Sequence, residues 1–372
     1  MEKKKLQEKL VYIKSELLKK QEKIPVNEMF LTLEEKRILQ NIRSQTARWN
    51  LNNVTRTKAY LDFFCGHPDI HWAFLGHMVS RNGGWNMTDL KGDIVSKLMN
   101  DETKNIFFSF LERGNWLIFQ DAFPQFLLYS ESERRNKNLF YLLPYLNVSV
   151  FMQVIWEYYW QFRDRYVLAI AQVINEQSYL EHRIIHNPKY KDKVLNSFQF
   201  VLQDFLSVNH ILFPFFNENK ITLLGQTLHQ FDSLHERIML GKRLYRILFH
   251  DNEQYDKFFH WAISNPHTGS RKDYWKNIFN DINEGVPGKY SRRLKECSVK
   301  NGQPKLYSPI LRNAWKNVKH PEAELVDWYT HWEVIRYLQD DDQEINSDIE
   351  GDYCEALEKL ELATMAKNII FK

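Results

Sequence analysis

No Pro/Gly/Ser-rich linker, internal repeat or sustained alternation of apolar and polar residues interrupts this 372-residue chain. The first absence leaves nowhere to divide it into separate globular domains, and the other two leave no solenoid and no half-buried strand to expect. The expected fold is therefore all-α, a single large multi-helix body. The glycine spacings of dinucleotide and P-loop sites, the GxSxG elbow and the HExxH zinc motif are also missing, so none of the activities they mark is indicated.

Cysteine is scarce and badly spaced for chemistry. Cys65, Cys297 and Cys354 are odd in number and form no CxxC, which fits unpaired thiols in a reducing cytosol, with Cys65 beside Phe63 and Phe64 read as a small buried hydrophobe. The N-terminal stretch lacks an apolar signal segment, so a cytoplasmic location is expected. A formal net charge of +3 is too slight to call for nucleic acid. The longest charge-free run, Leu139 to Trp156, contains Pro144, Asn147, Ser149 and Gln153 and leads into a helix bearing Glu157. It is read as core, with no integral membrane insertion. Two HxxxH pairs, His67 with His71 and His182 with His186, have zinc-ligand spacing, but with 13 histidines chance alone supplies about half of one such pair. Neither a metal nor a cofactor is expected.

What is present is apolar, aromatic and helical. Residues 1 to about 23 form a lysine-rich amphipathic helix, suited to packing on the body, to a partner helix, or to peripheral contact with an anionic membrane. Thr32 and Glu35 spell a capping box, and Thr55 is placed as the cap of a helix over 56–64. A long helix, straight or with a bend, is expected from about Val148 to His186, where Gln153, Glu157, Gln161, Asp164, Gln172 and Glu176 draw a thin polar stripe. Others are expected over 191–213, 225–249, 310–318 and 322–339. Residues 284–309 read as a basic loop, and the run from Asp340 to Asp352 as an acidic linker to a short last helix. This divides the chain into an arm (1–50), a main helical domain (51–338) and a C-terminal appendage (339–372).

Two segments carry polar residues that packing alone does not explain. In HPDIHWAFLGHMVSRNGGWNMTD, from His67 to Asp89, the apolar helix places His71 and His77 at a pocket wall, and Ser80 to Gly84 read as a turn with Arg81 and Asn82 facing a ligand or capping the corner. Asn115 and Asp121, in very apolar company, are candidates for the same interior. In SNPHTGSRKDYWKNI, Gly269 lets backbone amides converge where Thr268 or Ser270 starts a helix. With Arg271 this makes an anion-ready turn, and His267 is the candidate acid/base group. Two functions stay open: a cytosolic helical binding or scaffold protein with a protein partner, or an enzyme or binding protein for a phosphate-bearing or other anionic small molecule.

The blocks HPDIHWAFLGHMVSRNGGWNMTDLKG, FLERGNWLIFQDAFP and NPHTGSRKDYW resemble the YppC-like family of uncharacterised proteins from Bacillus and related Firmicutes. The likeness covers about residues 50 to 330. It implies a bacterial relative and brings no activity, cofactor or catalytic residue.

Overall fold

Short polar side chains start most of the helices. Thr32 and Glu35 bond reciprocally at the start of α2 (Leu33–Trp49), and Asn52 and Thr55 do the same at α3 (Asn53–Gly66). Thr55 is thus the third residue of that box, and Asn52 is the cap. Asn100, Ser149, Asp164, Ser233 and Asp251 each accept from a backbone N–H at the starts of α5 (Asp101–Arg135), α6 (Val150–Phe162), α7 (Arg165–Leu180), α8 (Leu234–Phe249) and α9 (Asn252–Ser264). The remaining long helices are α1 (Glu2–Lys19), α4 (His71–Asp89) and α10 (Glu350–Ile370). The computed structural model describes all residues except 1, 21–26, 191–208, 219, 286–290, 340–344 and 371–372.

The fold is mostly helical but not purely all-α. Residues His210–Asn217 (β1) and Lys220–Thr227 (β2) form an antiparallel hairpin, with His210 opposite Thr227 and Asn217 opposite Lys220. Helices expected over 191–213 and 225–249 give way to this hairpin and to α8; residues 191–208 lie outside the described residues. The run HILFPFFN is apolar at nearly every position, so it shows no period of two to betray a strand. The helix expected from Val148 to His186 is two helices, because Arg163 takes a left-handed conformation (φ 52°) and Asp164 caps α7. The break escapes a periodicity argument, since the apolar faces of α6 and α7 keep the same phase on either side of it.

Residues 315–331 are not helical either. Only Leu311–Ala314 and a 3-10 turn at Trp332–Leu338 coil in this region, and the rest runs extended over the body. Its backbone carbonyls are met by arginines from the body, Arg113 to Pro321 (2.7 Å) and Arg183 to Glu324 (2.9 Å) and Val326 (2.5 Å). Gly114 neither breaks α5 nor admits a neighbour, for a side chain there would meet open space. α1 lays the buried Ile13 and Leu17 on the body, pairs Lys9 with Asp164 at 2.5 Å and sets Lys14 over Trp332. No helix among the described residues is long and apolar enough to cross a membrane.

Two corrections concern cysteine. Cys297 and Cys354 form a disulfide that ties a two-stranded turn over 294–299 to α10, and Cys65 is exposed rather than buried. Spacing rules look for local pairs, whereas these residues stand 57 apart and meet because α10 folds back. Closing a loop of that length is worth about 4 kcal/mol in the chain-entropy account. α10 is therefore a full-length element of the fold, not a short appended helix. The buried Glu361 secures it further by accepting from the backbone N–H groups of Arg293 (2.8 Å) and Leu294 (2.9 Å).

Helix α4 is the central element, and it runs unbroken through Ser80 to Gly84, where a turn is expected from the sequence. Its glycines serve close approach instead: a Cβ on Gly84 would lie 2.4 Å from both Asn53 and His267. Asn82 docks the hairpin, since its Oδ1 accepts from Leu212 N (2.9 Å) while its Nδ2 donates to Leu212 O (3.0 Å) and Met78 O (2.9 Å). Asn82→Ala leaves both Leu212 backbone groups unpaired in the interior, at an expected cost of about 2–4 kcal/mol in urea unfolding. Hydrogen exchange at Leu212 should accelerate with it. A loss within experimental error would show that the hairpin is held by other contacts.

Candidate functional site

The two polar segments singled out in the sequence meet. α4 lies against the loop 265–274, with Arg81 Nη1 donating to Asn265 O (2.7 Å) and Thr88 Oγ1 to Gly269 O (2.7 Å). Between them sits Asn53, whose Nδ2 donates to Ser80 O (2.9 Å) and more weakly to Ser80 Oγ (3.1 Å) and Asn115 Oδ1 (3.3 Å). That orientation turns Asn53 Oδ1 toward His267 Nε2 (2.8 Å), so Nε2 must carry a proton and donate. His267 Nδ1 faces Asp273 Oδ2 at 3.5 Å, and the Thr268 N–H and hydroxyl hold the same carboxylate at 2.7 and 2.9 Å. Burial holds His267 below its usual pKa, against the pull of Asp273. Asp273 is pushed up by burial, but its bonds and charges from His267, Arg81 and Thr268 outweigh this and bring it below the carboxylate range. The result is a sealed polar cluster of Asp273, His267, Asn53, Ser80 and Asn115, assembled from α3, α4, α5 and the loop, in which His267 Nδ1 faces Asp273 without a hydrogen bond.

The groups read as an anion cradle are engaged internally. Ser270 Oγ donates to Ser308 O (2.6 Å), and Arg271 is ion-paired with Asp89, donates from Nη1 to Tyr353 (2.6 Å) and stacks 4.2 Å from the Trp85 ring centre. The helix expected to start there is a three-residue turn, Arg271–Asp273. Arg81 is fully buried between the rings of Trp261 and Tyr274, 4.3 and 5.8 Å from their centres, and desolvation lowers its pKa. In the basic loop, Arg293 pairs with Asp93 (2.6 Å) and Arg292 with Glu358.

The pocket-wall candidates take other places. His71 stacks on Phe249 at 4.1 Å and bonds Tyr245 OH (2.9 Å), and burial lowers its pKa to about 4. His77 is buried, with Nδ1 donating to Thr57 O (2.8 Å), and burial takes it well below the usual value. Asp121 centres a buried amide network, accepting from Asn175 (2.5 Å) and Gln125 (3.0 Å), while Gln125 Oε1 accepts from Trp156 (2.7 Å) and Gln172 (2.8 Å).

Beside the polar cluster lies an interior cavity of about 250 Å³ between α3, α4, α5, α7 and α8. Leu75, Val79, Leu111, Ile118 and Val173 are among its apolar walls; Asn86, Asn115, Tyr60 and Glu176 supply polar atoms. His229 and Asp232, both exposed, mark its mouth. Of the candidate ligand-binding residues only Asn115 lines it, while His267 and Thr268 border a separate cleft of about 410 Å³ that also includes Glu112 and Lys316. Glu176 is surrounded by protein yet keeps some accessible surface, because that surface faces the cavity. Burial raises its pKa to about 7, against the pull of Gln177 and Trp72. Two cations on the wall are already neutralised: Arg56 pairs with Glu112 at 2.5 Å, and Arg237 with Glu181. Sequence reasoning placed Glu176 on the polar stripe of a nearly surrounded helix but singled out neither it nor Asn53; that stripe was the available signal. No group of three or more His, Cys, Asp or Glu among the described residues is arranged to hold a metal ion.

Comparison with known proteins places the chain among relatives with no described activity. A profile for a family of proteins of unknown function, DUF2515, matches residues 48–353. The chain is 37% identical over 309 residues to the "Uncharacterized protein YppC" of Bacillus subtilis (strain 168), an alignment covering 80% of this chain and 92% of that protein. No solved structure matches.

Asp121 supplies a test of the interior. Burial lifts its pKa from 3.8 to about 7. A carboxyl raised in the folded state stabilises fully below its unfolded pKa and progressively less as pH climbs to the folded value, with no further change above it. Asp121→Asn mimics the neutral acid, so the fall in unfolding free energy between about pH 4 and pH 7 should shrink by on the order of 2–4 kcal/mol. Parallel stability curves for the two proteins would show that Asp121 ionises normally.

Proposed function

The chain belongs to the DUF2515 family of proteins of unknown function, and we propose that it binds a small molecule with a largely apolar body in the cavity between α3, α4, α5, α7 and α8. The observation that carries this reading is the convergence of Asn86, Asn115 and Glu176 on a largely apolar interior space whose two arginines are already ion-paired. Apolar enclosure with a few placed polar groups is the usual form of a small-molecule site, because burial provides affinity and the polar atoms fix orientation. Asn53, oriented by the His267 N–H, supports it by holding Ser80 and Asn115, two cavity residues, in place.

The anion reading of Ser270 and Arg271 has less support, since Ser308, Asp89 and Tyr353 already engage them. A scaffold role remains compatible with the exposed, extended segment 315–331, but no described contact there points to a partner. Peripheral membrane contact through residues 1–23 would have to proceed without Ile13 and Leu17, which α1 buries.

Val79→Phe extends a ring into the cavity while leaving every polar group in place. In a thermal-shift titration with n-hexanol, the unsubstituted protein should be stabilised by a few degrees, as mass action requires for a ligand in excess. The variant should fold and lose that response. No shift in either protein, across alcohols of increasing size, would count against the cavity as a binding site.

A further inference from the structure

Resting on the cavity reading, we infer that the occupant is an amine: an apolar body carrying an ammonium group, seated against the Glu176 carboxylate. Arg56 and Arg237 are the cations on the cavity wall, and each is committed elsewhere. Arg56 Nη2 meets Glu112 at 2.5 Å, and Arg237 binds Glu181, Gln177 (3.0 Å) and the Phe231 carbonyl (2.6 Å). Glu176 is left facing the cavity with the carboxamide of Gln177 as donor (2.7 Å) and no cation paired to it among the described residues. Asp232 adds a second negative charge at the mouth. An ionised ligand of negative sign would enter against both carboxylates, whereas an ammonium supplies the missing counter-charge.

Tyr60 and Trp72 border the cavity beside Glu176 and meet edge to face, with ring centres 5.4 Å apart and an interplanar angle of 86°. Phe119, Phe123 and Phe126 cover most of both rings, so they close the wall behind the acid, and the formal counter-charge for a cation comes from the carboxylate. The raised pKa of Glu176 is what a buried carboxyl shows when its counter-charge is absent.

The test compares three probes of equal length, n-hexylammonium, n-hexanol and hexanoate, by calorimetric titration of the full chain at about pH 8, where Glu176 is ionised. The ammonium should bind ~10-fold or more tighter than the alcohol, with hexanoate weakest. Glu176→Gln should erase the preference for the ammonium while leaving alcohol affinity within about threefold. Equal binding of ammonium and alcohol, or a preference for hexanoate, would overturn the amine assignment and leave the cavity reading intact. Should the variant not fold, the ranking of the three probes on the unsubstituted protein decides alone. Binding of all three that persists unchanged in Val79→Phe would overturn the cavity itself as the site.

Discussion

A helix buried on nearly every side has to satisfy each polar side chain it carries, because a group stripped of water and left unpaired costs on the order of 1–3 kcal/mol. α4 is such a helix. From Ser80 onward it carries Arg81, Asn82, Asn86, Thr88 and Asp89, all buried. Their partners come from far along the chain: Asn53 on α3, Leu212 on the hairpin, Asn265 and Gly269 on the loop after α9, and Arg271. The arrangement of the surrounding elements follows from this demand. Apolar packing permits many helix orientations, whereas a carboxamide meeting both backbone groups of Leu212 permits very few.

The interior stays open beside the polar contacts of Asn53, where Ser80 and Asn115 also line the cavity between α3, α4 and α5. Guanidinium groups near that space are neutralised by carboxylates, so its electrostatic character is set by the acids that remain. The Asp121 network, by contrast, fills its volume: Asn175, Gln125, Gln172 and Trp156 interlock around the carboxyl. Two carboxyls on neighbouring helices therefore have different surroundings, Asp121 sealed in an amide network and Glu176 left partly exposed on the cavity wall.

Much of the helical architecture was legible because it is local. Thr32 with Glu35 announces a capping box, and the helix expected over 225–249 contains all of α8, although residues 225–227 belong to β2 and 228–233 to the connection between them. The hairpin was not legible, because a strand apolar on both faces has no alternation to display. Nor was the extended segment 315–331, whose backbone is satisfied by Arg113 and Arg183 from elsewhere in the chain. The polar segments were conspicuous, but what they do was not: SRNGG resembles a turn in isolation, whereas its glycine at 84 lies within a helix and leaves room for Asn53 and His267. Glu176 could not be separated from the other acids on its stripe, since exposure to a cavity is a property of five helices at once.

Asn53 touches α4 through Ser80, α5 through Asn115 and the loop through His267 with one carboxamide. A group with so many obligations ties together the sequence histories of segments more than 200 positions apart. Changing His267 to a residue that accepts rather than donates would invert the orientation of the amide and set its NH₂ group against the ring position. It would also strip Ser80 O of its donor. Substitutions at Asn53 and His267 are therefore coupled through the direction of donation, whereas the Ser80 bond is to a backbone carbonyl that any residue there would keep. Related chains are expected to exchange Asn53 and His267 together or not at all.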